Sequence, residues 1–168
     1  ETKKETEQDY LHNAQNYQQA GNTEMAFQQY MVAARDYGGP EAQFEVARCY
    51  QNGTGVEKNE ENAVVWYRKS AEQGYAMAQC DLGYCYYCGE GVKKDFGKAA
   101  EWYRKSAEQG NATAQRNLAI FYKNGYGVTQ NKEEAVKWNQ KAAEQGNTEA
   151  QNSLGSCYKC GEGVEKDL

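Results

Sequence analysis

The chain has 168 residues, of which 39% are hydrophobic and 26% are charged, and its mean hydropathy is −1.02. Such a composition is unusual for a domain with one compact core, and it fits a repeat array in which every unit keeps a large solvated surface. The net charge is −5 and no basic stripe is visible, which argues against a nucleic-acid partner. No apolar run approaches the roughly 20 residues of a membrane span, so membrane insertion is not expected.

The first 40 residues predict a helical hairpin that differs from the rest of the chain. Ala14, Tyr17, Ala26 and Tyr30 have helical spacing, and Gly21–Asn22 separates the two helices. Terminal units of repeat proteins are often atypical because one of their faces meets water. We therefore interpret residues 1–40 as an N-terminal cap.

A 36-residue period governs the chain after this hairpin. Four different landmarks recur at this interval in one register, which is a far stronger signal than any single match. They are an Ala-Gln pair starting at Ala42, Ala78, Ala114 and Ala150, a tryptophan at Trp66, Trp102 and Trp138, Glu-Gln-Gly at Glu72–Gly74, Glu108–Gly110 and Glu144–Gly146, and Gly-x-Gly-Val at Gly53–Val56, Gly89–Val92, Gly125–Val128 and Gly161–Val164. The period predicts repeats over 41–76, 77–112 and 113–148 and a truncated one over 149–168. We expect the full-length protein to continue beyond Leu168.

Each full repeat is predicted to be a pair of antiparallel helices of about a dozen residues. Ala42, Val46 and Tyr50 form one helical stripe, and Ala63 with Trp66 begins a second. Helix starts are expected where an N-capping side chain precedes such a stripe. The predicted N-caps are Asp95, Asn111, Asn131 and Asn147.

Small residues recur at one position of the first helix. Ala47, Gly83, Ala119 and Gly155 are 36 residues apart, and glycine within a helix costs roughly 1 kcal/mol. We interpret them as sites of close helix approach, with tyrosine or tryptophan of the second helix filling the adjacent space. The periodic tryptophans are accordingly assigned to core packing.

The landmarks resemble those of the Sel1-like repeat family, a relative of the tetratricopeptide repeats. The residues that carry the likeness are Ala78–Gln79, Leu82–Gly83, Tyr86, Gly89–Val92, Asp95, Lys98–Ala99, Trp102–Tyr103, Lys105, Ala107 and Glu108–Gly110. The resemblance covers roughly residues 41–168, and residues 9–37 look more like a plain tetratricopeptide unit. It implies an all-α, right-handed α-α superhelical solenoid. It also implies a scaffold or adaptor role, and many bacterial members of the family are exported or meet host proteins.

A partner is expected to bind in the concave groove, along first-helix positions that lie off the packing stripe. These positions vary between repeats while the scaffold positions do not, and aromatic residues with a polar tip are favoured at binding hot spots. The predicted groove residues are Phe44, Arg48, Gln51, Tyr84, Tyr87, Arg116, Ile120, Lys123, Ser156 and Lys159. Tyr84 and Tyr87 are the strongest candidates for contact with a partner. The basic residues in the set favour an acidic protein or peptide.

The six cysteines are interpreted as structural. Cys85–Cys88 and Cys157–Cys160 are CxxC pairs two repeats apart, and this separation excludes a shared zinc ion, whose Zn–S bonds are about 2.3 Å. Cys49 shares its repeat position with Cys85, Cys157 and Phe121, which indicates a partly buried apolar position. Disulfides, or a metal-binding or redox function, are the alternatives. Unpaired cysteines favour a cytoplasmic location, with a periplasmic or secreted one as the alternative.

Catalysis is not predicted, and neither is a cofactor or a metal. His12 is the single histidine, so no histidine cluster exists. The Gly-x-Gly-Val turns lack the strand–helix setting and the Lys-Ser/Thr of nucleotide-binding loops. The favoured function is a protein-binding adaptor. The alternative is a structural or regulatory spacer within a larger protein.

Overall fold

The computed structural model describes residues 5–163, and the regular structure in that range is helical throughout. The helices are α1 (Glu7–Gln19), α2 (Thr23–Val32), α3 (Pro40–Asn52), α4 (Glu60–Glu72), α5 (Ala76–Cys88), α6 (Phe96–Glu108), α7 (Ala112–Asn124), α8 (Lys132–Glu144) and α9 (Thr148–Cys160). A five-residue π-helical turn, Ala33–Tyr37, follows α2. Residues 164–168, which end the predicted last repeat, lie outside the described residues. Within those residues, no helix is long and apolar enough to cross a membrane.

The chain forms two compact units. The N-terminal unit runs to Ala78 and includes Glu90–Lys93, and the C-terminal unit comprises Gln79–Gly89 and the chain from Lys94 onward. In the N-terminal unit, the predicted hairpin buries Ala14, Ala26 and Tyr30 against Ala42 and Val46 of α3. Tyr17 remains 36% exposed, so this member of the predicted stripe is not a core residue.

The predicted N-caps are confirmed by backbone hydrogen bonds to their side chains. Asp95 Oδ1 accepts from Lys98 N at 3.0 Å, and Asn131 Oδ1 accepts from Glu134 N at 3.0 Å. Asn111 and Asn147 each accept from the backbone N–H three residues later, at 2.9 Å. These bonds satisfy donors that the first helical turn leaves without partners. Each of the seven helices from α3 to α9 has 13 residues.

Side-chain hydrogen bonds show that α3 and α4 are antiparallel. Ser70 Oγ, near the end of α4, donates to Pro40 O at the start of α3, at 2.6 Å. Tyr67 OH, one turn earlier in α4, donates to Gln51 Oε1 near the end of α3, at 2.6 Å. The two helices therefore run in opposite directions along their contact, as the sequence predicts.

A glutamine pair joins two of the sequence landmarks within each full repeat. The amide of the Glu-Gln-Gly glutamine donates to the amide oxygen of the Ala-Gln glutamine 30 residues earlier. The distances are 2.9 Å for Gln73 to Gln43, 2.7 Å for Gln109 to Gln79 and 2.8 Å for Gln145 to Gln115. The acceptor glutamines are buried, so the bond satisfies polar groups that water does not reach.

The second glycine of each Gly-x-Gly-Val loop meets the backbone of the preceding repeat. In the C-terminal unit, Gly127 has φ +62° and a Cβ there would overlap Phe96 O. Gly163 has φ +73°, and its Cβ would lie 2.5 Å from Lys132 O. Only glycine combines this left-handed conformation with the space for so close an approach.

The interpretation of the small first-helix residues holds at Gly83. A Cβ at this position would lie 2.9 Å from Tyr103 Cδ1, so the tyrosine ring occupies the space that the glycine leaves. The tryptophans pack less deeply than the sequence predicts. Trp66, Trp102 and Trp138 are half-buried, and the lysine three residues later lies over each ring at 4.2–4.3 Å from the ring centroid.

Candidate functional site

The predicted groove residues of the N-terminal unit are only partly accessible. Phe44 is 4% exposed, and its ring centroid lies 5.8 Å from that of Tyr67 and 5.3 Å from that of Tyr75. Gln51 is half-buried and accepts the hydrogen bond from Tyr67. Arg48 is exposed, pairs with Glu45 at 3.4 Å and lies over the Phe44 ring. Phe44 and Gln51 therefore contribute mainly to packing.

The first helices of the C-terminal unit carry the other predicted groove residues and form two pockets. The first, which we call the tyrosine pocket, has a volume of about 200 Å³. It lies between α5, α6 and α7. Its lining residues are Tyr84, Tyr87, Tyr103, Arg116, Asn117, Ile120 and Phe121. Four residues of the predicted groove set are therefore brought together here: Tyr84, Tyr87, Arg116 and Ile120.

The two tyrosines that the sequence singles out have different surroundings. Tyr84 is 43% exposed. Tyr87 is half-buried, with its ring centroid 5.7 Å from that of Phe96 and 5.6 Å from that of Phe121. Tyr87 therefore belongs to an aromatic cluster beneath the surface, whereas Tyr84 offers the accessible ring of the pair.

The second pocket, which we call the asparagine pocket, lies between α7, α8 and α9 and has a volume of about 150 Å³. Its lining residues are Ala119, Ile120, Lys123, Lys132, Ala135, Asn139, Ser153, Ser156, Cys157 and Glu162. It contains the predicted groove residues Lys123 and Ser156. Ile120 lines both pockets, so the two adjoin.

The two pockets are the same site in successive repeats. A shift of 36 residues converts Tyr84 to Ile120, Tyr87 to Lys123 and Tyr103 to Asn139. The same shift converts Asn117 to Ser153, Ile120 to Ser156 and Phe121 to Cys157. The scaffold therefore repeats the pocket, while the side chains that line it change from mainly aromatic to small and polar.

Basic side chains at the rim are partly neutralised. Arg116 Nε lies 2.7 Å from Glu149 Oε2. Lys123 Nζ and Lys132 Nζ share Glu162, at 3.2 and 3.4 Å. Hydrogen bonding and charge interactions with the two lysines lower the pKa of the Glu162 carboxyl. The asparagine pocket therefore has two lysines and one carboxylate at its mouth.

The last residue of the predicted set, Lys159, is exposed near the end of α9 and lines neither pocket. Ser156 is exposed, and its hydroxyl donates to Asn152 O of the same helix at 3.2 Å. Serine at this position therefore adds a small polar surface to the asparagine pocket.

The shared cysteine position is buried, as the sequence predicts. Cys49, Cys85 and Cys157 are 7%, 2% and 8% exposed, and Phe121 is 2% exposed. The six cysteines all lie within residues 5–163 and none forms a disulfide there, and Cys88 and Cys160 are exposed. Burial raises the pKa of the Cys49 thiol to about 11 and that of Cys80 to about 12. Across residues 5–163, no three His, Cys, Asp or Glu side chains form a group that could hold a metal ion.

Sequence reasoning missed several residues that line the pockets. Tyr103 and Asn139 lie on second helices, and Lys132 and Glu162 lie at a helix start and in a loop. The groove prediction considers only first-helix positions. One signal was available, because position 139 breaks a pattern in which Tyr103 stands 36 residues earlier and Tyr67 stands 72 residues earlier.

Comparisons with known proteins agree with this architecture. The family model described as Sel1 repeat matches residues 40–75, 76–111, 112–147 and 148–168. The search of curated proteins found no match. These repeats, with their helix pairs, confirm the predicted fold class, an all-α solenoid.

Three solved structures illustrate the likeness. A protective antigen present in uropathogenic Escherichia coli strains is 36% identical with a TM-score of 0.92, over 96% of this chain and 35% of that chain. A Sel1 repeat protein from Oxalobacter formigenes is 36% identical with a TM-score of 0.90, over 96% of this chain and 66% of that chain. Helicobacter pylori cysteine rich protein B is 25% identical with a TM-score of 0.63, over 80% of this chain and 99% of that chain. The chain thus spans about a third of the first protein and about two thirds of the second, and it belongs to the Sel1 repeat family of scaffold proteins.

Proposed function

We propose that the C-terminal unit binds a segment of a partner protein across the two adjoining pockets. The observation that carries this proposal is the repetition of one pocket in successive repeats, with Ile120 common to both. Helical repeat proteins use surfaces built in this way to bind extended partners. A segment with a side chain in each pocket would be held at two points.

The size of the pockets supports a polypeptide ligand. Their volumes are about 200 and 150 Å³, whereas sites for small molecules and cofactors usually measure about 300–1,000 Å³. Each pocket is therefore the size of one side chain. Two side-chain pockets on one face suit a peptide segment better than a single compact ligand.

Charge favours an acidic segment. Lys94 Nζ lies 5.6 Å from the ring centroid of Tyr87 and 5.0 Å from that of Phe96. Lys123 and Lys132 share a single carboxylate at the second pocket. Acidic residues beside the anchoring side chains would pair with these lysines, and their contribution would weaken at high salt.

The proposal can be tested by selecting peptides from a display library on the intact chain. Affinities for selected peptides are then measured with two single-alanine variants. Tyr84→Ala removes the accessible ring of the tyrosine pocket, and we expect it to weaken binding at least tenfold, roughly the loss at a hot spot. Val65→Ala is the matched control, because Val65 is 49% exposed on α4 and lines neither pocket.

Two results would contradict the proposal. One is a selection that enriches no peptide, which would favour the spacer function. The other is an equal loss of affinity in both variants, which would place binding elsewhere on the chain. Circular dichroism of each variant establishes that the helices are intact.

A further inference from the structure

One position of the second helix changes character along the chain. Tyr67, Tyr103 and Asn139 are equivalent residues of α4, α6 and α8. Both tyrosines are fully buried, with exposures of 0% and 1%. The third repeat therefore places a short amide where its two predecessors place a phenol ring.

The two tyrosines show where that ring lies within a repeat. Tyr103 packs on Gly83 of its own repeat and meets Phe121 of the next one edge-to-face, with centroids 5.2 Å apart. Tyr67 reaches across its repeat, and its hydroxyl donates to Gln51 at 2.6 Å. The Tyr103 ring thus lies between the first helix of its own repeat and that of the following one.

The asparagine pocket includes the corresponding space of the third repeat. The equivalents of Gly83, Gln51 and Phe121 are Ala119, Lys123 and Cys157, and all three line the pocket around Asn139. Its volume of about 150 Å³ equals that of an engineered protein cavity that binds benzene. The space is therefore large enough for one six-membered ring.

Asn139 also leaves a buried polar atom without a partner. The residue is 7% exposed, and within the described chain no group donates a hydrogen bond to its Oδ1. Buried polar side chains are nearly always hydrogen-bonded, so this exception calls for a donor. The amide torsion of an asparagine is soft, so Oδ1 can turn toward a donor that enters the pocket.

We infer that the asparagine pocket binds a tyrosine side chain of the partner segment, which replaces the ring that this repeat lacks. The ring packs between Ala119 and Cys157, and its hydroxyl donates to Asn139 Oδ1. Phenylalanine lacks the hydroxyl donor that Asn139 Oδ1 requires. Acidic residues beside the tyrosine pair with Lys123 and Lys132 at the mouth. This inference rests on the proposed function and specifies one anchor of the bound segment.

The test uses p-cresol, the side-chain analogue of tyrosine, and toluene, which lacks only the hydroxyl. Each is titrated into the ¹⁵N-labelled full chain while backbone amide signals are followed by NMR. We expect p-cresol to shift the signals of residues around Asn139 with a Kd on the order of 1 mM. Toluene should bind about tenfold more weakly, the usual value of a hydrogen bond to a buried group.

Two variants separate the ring site from the hydrogen bond. Asn139→Tyr fills the pocket from within and should abolish the p-cresol shifts. Asn139→Leu keeps a side chain of similar size without the amide, and it should bind p-cresol and toluene equally. Toluene binding as tightly as p-cresol to the unmodified chain, or shifts that persist in Asn139→Tyr, would overturn the inference.

A short peptide distinguishes a partner's tyrosine from a free phenol. Acetyl-Glu-Tyr-Glu-amide should displace p-cresol and bind at least several-fold more tightly, because its carboxylates reach the two lysines. Failure of this peptide to bind while p-cresol binds would overturn the assignment to a polypeptide. These measurements require no selected partner, so their failure is distinct from failure of the library selection.

Discussion

The second and third matched repeats, residues 76–111 and 112–147, share a backbone design and differ in one buried side chain. Each has two 13-residue helices and one glutamine pair. Tyr103 places a fully buried ring beside the tyrosine pocket of the second repeat, whereas Asn139 places a short amide in the asparagine pocket of the third. The helix pair therefore does not require the ring. A position that contributes to packing in one repeat is thus free to contribute to binding in the next.

The largest effect on the free energy of unfolding is expected when the second repeat is made to resemble the third. Tyr103→Asn removes a fully buried ring that contacts Gly83 and Phe121. We expect the free energy of unfolding to fall by about 3–5 kcal/mol, the usual cost of truncating a buried aromatic residue. Urea denaturation measures this change. Tyr103→Phe keeps the ring and is the control, and a Tyr103→Asn variant as stable as the unmodified chain would contradict the comparison.

The glycines at one repeat position should respond differently to alanine. Gly83→Ala places a Cβ 2.9 Å from Tyr103 Cδ1, whereas Gly155→Ala meets no atom within 4 Å in the described chain. Both changes gain the same helix propensity. The difference between their free energies of unfolding should therefore measure the cost of crowding the Tyr103 ring, about 1–3 kcal/mol. Equal stabilities of the two variants would show that Tyr103 moves aside without cost.

Alkaline pH should weaken the second repeat through Cys80. Burial, followed by the charge of Asp81, raises the pKa of this thiol from 9.0 to about 12. The unfolded chain releases this proton from about pH 9 upward, while the folded chain retains it. The contribution of Cys80 to the free energy of unfolding is therefore fully present below pH 9 and is lost as pH rises toward 12. By pH 10.5 the loss from this group is about 2 kcal/mol at most.

Comparison of two alanine variants isolates that contribution. Between pH 8 and 10.5, Cys80→Ala should lose less stability in urea denaturation than the unmodified chain. Cys88→Ala, at an exposed cysteine, should lose as much as the unmodified chain. Identical pH slopes for the two variants would show that Cys80 ionises with similar ease in the folded and unfolded states.

The smallest effect is expected when the third repeat is made to resemble its predecessors. Asn139→Tyr should raise the free energy of unfolding by about 1 kcal/mol, a typical gain from filling a cavity. Another repeat already accommodates a tyrosine ring together with alanine at this position. Tyr67 is fully buried there, and Ala47 stands at the position of Ala119. Thermal and urea denaturation measure the gain. A loss of stability would mean that the ring does not fit this pocket.

The sequence predicts the fold well because the fold depends on local and periodic signals. Asp95, Asn111, Asn131 and Asn147 cap helices where their spacing places them. Each cap acts within three residues, so its position in the sequence determines its contact. The pairing of landmark glutamines was not predicted, because residues 30 apart come together only through the turn between helices.

The candidate site was less accessible to prediction. Counting along a helix shows which face a residue occupies but not how deeply its neighbours cover it. Phe44 and Tyr84 share nearly the same helical face in successive repeats, yet one is 4% exposed and the other 43%. Tyr75 covers Phe44 from a loop that the helical pattern does not describe. The pocket at Asn139 likewise requires contacts from three helices, which no single-helix pattern contains.

The loop glycines have a consequence for how such proteins change length. Gly127 and Gly163 each meet main-chain atoms of the preceding repeat, and main-chain atoms are the same whatever side chains surround them. Duplication of one 36-residue segment therefore reproduces both sides of this contact at once, the loop glycine and the main-chain atoms that it meets. Deletion of one segment restores the same glycine-to-main-chain contact between the two repeats that flanked it. Copy number can thus vary independently of the pocket residues, and a new copy supplies another pocket whose lining is free to diverge.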